Sequence, residues 1–116
     1  MSKTKKPAKP ARNLRDFLDA LVEWDPGSIL RVKDPIALDY DMTAMAMELE
    51  RRGQSPVLWF EKVGNSPFPV VANVFGNRKR YAFALGVEEA ELFDAWGRVG
   101  DKLYTPELVK KGPILD

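Results

Sequence analysis

The segment from Pro56 to Val63, PVLWFEKV, narrows the fold more than any other stretch of the chain. Side chains alternate along a strand, which puts Val57 and Trp59 on one face and Leu58 and Phe60 on the other. A strand that is apolar on both faces has to be covered from both sides. Three helices or more around a small sheet would supply that cover and make an α/β layer architecture.

The flanking segments supply those layers. Asn13 is a good N-cap with Asp16 as a short capping-box partner, and Leu14, Phe17, Leu18, Leu21 and Val22 recur at helical spacing. This first helix should stop before Pro26, and Asp25 to Ser28 has the residues of a tight turn in which Gly27 can take positive φ. The alternation of ILRVK, with Leu30 and Val32 opposite Arg31 and Lys33, predicts a half-buried strand near an edge. Asp39 and Asp41 stand where a second helix begins, and we read them as complements to the helix N-terminus in preference to a metal-binding pair. Met42, Met45, Ala46 and Leu49 form its apolar stripe, read as core packing, with Arg51 and Arg52 at the carboxyl end and Gly53 closing it. After a Gly64–Pro67 turn, a strand is predicted from Val70 to Phe75, a break at Gly76 and Asn77, and a helix from Arg78 to Leu85 stopped by Gly86. A last helix begins at Glu88, Glu89 and Glu91, acids that serve its dipole before any catalysis, and is expected to turn Leu92, Phe93, Trp96 and Val99 inward. The fold class is α/β, a small mixed sheet flanked by amphipathic helices.

Composition excludes several chemistries. The 116 residues include no Cys and no His, so thiolate or imidazole zinc sites, cysteine nucleophiles, disulfides and Ser-His or Cys-His relays are ruled out within the chain. Five of the 18 basic residues fall in the first twelve positions, which hold no acid; the rest carries 13 against 17 acids, about −4. Residues 1–12 read as a disordered basic tail, solubilising or touching a partner. Nucleic acid is the alternative use of such a tail, disfavoured by the negative body. No apolar run approaches the roughly 18 residues of a membrane span and no secretory signal is recognisable, so no membrane partner and a cytoplasmic location are expected.

Two local sites invite a functional reading. The strand, Gly-Asn turn and basic helix start at Arg78, Lys79 and Arg80 could bind an anion, although the spacings of a dinucleotide turn or P-loop are missing. Glu61 is the nearest candidate for a general base; an exposed or ion-paired strand-end residue is the plainer reading. Asn73 and Arg80 are expected to bind loop backbone and a nearby carboxylate in preference to substrate.

The ordered segments LRDFLDAL, ILRV, AMELERRG and PVLWFEKVGNSPFPVVANVFGNRKRYAFALG together resemble the amino-terminal domain of the UbiD family of prenylated-flavin decarboxylases, over roughly residues 13 to 100, which sets the domain at 13–104. The most specific part is Asn73, Phe75, Gly76, Arg80, Leu85 and Gly86, which we read as family-motif scaffold. The resemblance implies reversible decarboxylation of aromatic, heteroaromatic or α,β-unsaturated acids with prenylated FMN, manganese and potassium. It also implies that cofactor, metals and the catalytic Glu-Arg-Glu set belong to a following domain, leaving no catalytic, cofactor-binding or metal residue here. Residues 105–116 resemble the linker into that domain.

Three arrangements follow: a small subunit of a split enzyme, a domain redeployed for binding or regulation with its basic tail on nucleic acid or another anionic partner, or a fragment. The initial Met and the Leu115-Asp116 end favour a natural short polypeptide, and the small subunit, paired with a large UbiD-type chain, is the expectation. A partner-binding domain should keep an apolar patch, and aromatic residues dominate interface energies. Trp59 and Trp96 are expected in the core, whereas Trp24 and Tyr104 are open as interface residues.

Overall fold

The computed structural model describes residues 13–112; the basic tail over 1–12 and the last four residues of the 105–116 segment lie outside the described residues. The order is α1 (Leu14–Trp24), β1 (Ile29–Val32), α2 (Asp41–Arg51), β2 (Val57–Phe60), β3 (Val70–Ala72), α3 (Arg78–Leu85) and α4 (Leu92–Gly97), with short 3-10 turns at Pro26–Ser28, Glu89–Glu91 and Val99–Asp101.

The sheet has the order β1-β2-β3, with β1 and β2 parallel and β2 and β3 antiparallel. A parallel pair requires a crossover, and α2 provides it. The bridge between Ile36 and Val63 prolongs the parallel pairing beyond the strands. The register, Ile29 opposite Val57 and Trp59 opposite Val71, collects one parity of side chains on each face. On the first face Val57 meets Leu18 and Leu21 of α1 and Phe83 of α3, with Ile29, Trp59 and Val71 at the margin. On the second, Leu58, Phe60 and Val63 are covered by Met42, Met45, Ala46 and Leu49 of α2, with Val32, Val70 and Ala72 alongside. The central strand thus feeds two separate clusters, and each fully buried Leu, Val or Phe removes apolar surface worth about 1.5–3 kcal/mol.

Helix ends follow their capping residues. Asn13 Oδ1 accepts from the Asp16 N–H at 2.9 Å. α2 finishes with Gly53 at φ 74 and a pair of backbone bonds, Gly53 N–H to Glu50 O and Gln54 N–H to Leu49 O, which satisfy carbonyls that the helix leaves open. Glu88 and Glu91 cap one another reciprocally at the turn into α4, so both acids serve the helix start.

The structure corrects several expectations. Leu14, Val22 and Leu30 are exposed, and the α1 core contribution comes from Leu18 and Leu21. Gly27 is not left-handed; Pro26 starts a 3-10 turn in which the Ser28 N–H donates to Asp25 O. The α2 N-cap is Tyr40, at φ 60, with no side-chain cap bond; Asp41 stands in the first turn as the expected complement to the helix N-terminus, and Asp39 lies just outside the helix. β3 ends at Ala72 because Asn73 turns left-handed at φ 59. Phe93, Trp96 and Val99 point outward, leaving only Leu92 of the expected set half-buried. Among the described residues no helix is long and apolar enough to cross a membrane.

Candidate functional site

The first turn of α3 carries the largest fully buried side chain among the described residues, Arg80, at 1% exposure. Asn77 begins α3 by accepting from the Arg80 N–H at 3.1 Å, which sets the first helical turn with Arg80 directed inward. The guanidinium then donates only to carbonyls: Nε to Val74 O at 2.7 Å, Nη2 to Asn73 O at 3.0 Å and to Ser55 O. Asn73 adds a parallel tie, its Nδ2 donating to Pro56 O at 2.9 Å. The residues ahead of β2 are thereby tied to the turn after β3.

This knot depends on its small residues. A Cβ at Gly76 would stand 2.4 to 2.6 Å from the Asn73 side chain, a separation that real atoms do not tolerate. The Gly76 N–H closes the turn on Asn73 O at 3.1 Å. At the far end Gly86, at φ 70, ends α3 with its N–H on Phe83 O, while Val87 N–H reaches Ala82 O; Leu85 just before it is exposed. Burial pushes the Arg80 pKa below the usual guanidinium value, and the charge of Asp25 opposes that shift. The guanidinium's hydrogen bonds go to loop backbone as expected, while the nearby carboxylate, Asp25, acts on it through charge and accepts no hydrogen bond from it.

The knot presents Phe75. Its ring stacks on Tyr81 at 4.7 Å between centroids and lies tilted against Phe17 at 5.7 Å, while Phe17 meets Phe83 edge-on at 5.8 Å and Phe83 stacks on Trp24 at 4.6 Å. An aromatic chain therefore runs from the first core cluster to the exposed pair Phe75 and Tyr81. Trp24 is half-buried within it and belongs to the packing of α1 and α3.

The arrangement does not assemble the anion site that the basic triplet suggested. Asn77 occupies one of the free N–H groups of α3, Arg80 spends its donors on carbonyls, and Arg78 lies over the Phe93 ring at 4.5 Å. Glu61 pairs with Arg31 at 3.3 Å, and Arg31 in turn covers the Trp59 ring at 4.3 Å, so the one acid singled out as a possible base is engaged at the sheet edge. Among the described residues no three of His, Cys, Asp and Glu come together as a metal set. Trp59 is half-buried against the first cluster, whereas Trp96 is 67% exposed, a correction to its assignment to the core: α4 shows that side to solvent. Tyr104 is 88% exposed. Sequence reasoning missed Ser55 and Pro56, whose contribution is a carbonyl oxygen that every residue carries.

Against known proteins, the model of the 3-octaprenyl-4-hydroxybenzoate carboxy-lyase N-terminal domain matches residues 23–99. Three structures of vanillic acid decarboxylase (ShVdcCD) from Sedimentibacter hydroxybenzoicus are similar. The open form shares 28% identity at a TM-score of 0.65, over 81% of this chain and 20% of that one. The open form with truncated ShVdcD shares 29% at 0.71, over 84% and 21%. The closed form shares 31% at 0.61, over 71% and 17%. This chain thus spans about a fifth of the length of the chains it matches. With two thirds of its length under the family model and the same α/β arrangement of helices and mixed sheet, the chain belongs to the UbiD family, as its N-terminal domain.

Proposed function

We propose that this chain is the non-catalytic small subunit of a split UbiD-type decarboxylase or carboxylase acting on aromatic, heteroaromatic or α,β-unsaturated acids. The observation that supports the reading is the N-terminal family domain, together with its likeness to structures of a two-component decarboxylase, ShVdcCD. The remaining four fifths come from a second, larger chain, which holds prenylated FMN with manganese and potassium and the catalytic carboxylates. The described residues fit this division. Their buried cation is committed to backbone carbonyls, Glu88 and Glu91 serve a helix start, and Glu61, the one acid singled out as a possible base, is paired with Arg31.

The contribution of the small chain is then a rigid shape. Arg80 and Asn73 lock the turn before α3, and the two-sided packing of β2 fixes α1, α2 and α3 around the sheet. Decarboxylation, in which carbon dioxide leaves and a proton takes its place on the substrate carbon, would be supplied by the large chain with its cofactor.

The test is capture of the tagged chain from its native extract, with co-purifying protein identified by mass spectrometry and flavin read by absorbance. A stoichiometric UbiD-type chain carrying modified flavin is expected, and the pure 116-residue chain should release no carbon dioxide from aromatic acids. Turnover by the pure chain, or capture of no UbiD-type chain, would sink the reading.

A further inference from the structure

Resting on the small-subunit reading, we infer that the large chain docks on the outer face of α4, and that residues 102–112 form an arm that is laid onto it. The family domain matched by this chain ends at residue 99 and is an N-terminal domain, so in a chain of full family length the remainder departs from this point. Here that point is the Val99–Asp101 turn at the end of α4, beside Phe93 and Trp96. A two-chain form that keeps the same relative placement puts the large chain against this end of the small one.

The surface there has the composition such a contact needs. Among the described residues, seven of the 17 exposed large hydrophobic ones lie between Phe93 and Val109. Phe93 and Trp96 are 72% and 67% exposed and three residues apart, hence on one side of the helix. Arg78 over the Phe93 ring restrains that side chain in advance, which lowers the entropy lost on binding. Beyond the turn, residues 102–112 form neither helix nor strand, yet they carry Leu103, Tyr104, Leu108 and Val109, with Leu108 at 99% exposure. A segment outside helix and strand whose apolar side chains are left exposed gains its order from a partner that offers an apolar groove. The occupant of this face is therefore the large UbiD-type chain; a second copy of the small chain is the competing outcome.

The experiment takes the large chain recovered by capture, freed of small subunit, and titrates it with full-length wild type, Trp96→Ser, Leu108→Asp, and Met47→Ser as a control on the exposed side of α2. Trp96→Ser and Leu108→Asp should each weaken binding by roughly 30-fold or more, as for central interface residues. Met47→Ser should bind like wild type. All three side chains are exposed, and melting curves matching wild type confirm that binding, not folding, has changed. Tight binding by both Trp96→Ser and Leu108→Asp would overturn the inference and leave the small-subunit reading intact. If wild type captures no UbiD-type chain but self-associates, and Trp96→Ser abolishes that, both are overturned and the face belongs to a second copy.

Discussion

Arg80 is the residue on which the β3–α3 turn rests. Its guanidinium is held by three carbonyl dipoles, with the charge of Asp25 nearby but no carboxylate hydrogen-bonded to it. Replacing it by Met keeps most of the volume and strips the donors from Ser55, Asn73 and Val74. Each carbonyl left unsatisfied costs about 1–3 kcal/mol, less where water can reach it, so we expect Arg80→Met to lose about 2–4 kcal/mol. For a domain of this size that is a fall in Tm of at least about 10 °C by circular dichroism, and a fall below about 4 °C would mean the ties contribute little. The sequence pointed to Asn73, Gly76 and Arg80 as scaffold through a family resemblance, but their contacts could not be read from it. The apolar run from Val70 to Phe75 looks like one strand until Asn73 turns left-handed, and that turn is stabilised by bonds to residues distant in the chain.

Among the elements, α2 shows what a helix does without a side-chain cap. Tyr40 holds the N-cap position at φ 60, a left-handed conformation that costs a residue with a Cβ about 1–2 kcal/mol, and its ring is exposed. Asn tolerates that conformation and is among the best N-caps, so Tyr40→Asn should stabilise the domain by about 0.5–1 kcal/mol. The measurement is the midpoint of urea unfolding, which should rise with an unchanged slope; a lowered midpoint would show that the Tyr40 ring makes a contact worth more than the strain. The stripes of α1 and α2, the two-faced character of β2 and the span of α3 were legible because burial imposes a period on the sequence. α4 was legible as a helix but not in its orientation. Phe93, Trp96 and Val99 mark a face, and periodicity cannot say whether that face meets its own core or another chain.

At the scale of the whole molecule, everything depends on β2, which feeds both clusters and pairs with both other strands. What lies near it in sequence is tied to it first: the hairpin to β3 and the Arg80 knot close loops within residues 55–86, with Ser55 and Arg80 separated by 25 positions. Short loops cost less entropy to close than long ones. The order of events in refolding follows from that economy. The second half of the domain can gather around β2 while α1 and β1 are still unattached, and these then dock onto a surface already present. Stopped-flow refolding would register this as Phe60→Ala slowing folding and Leu21→Ala chiefly hastening unfolding; the opposite assignment would place the nucleus in the first half.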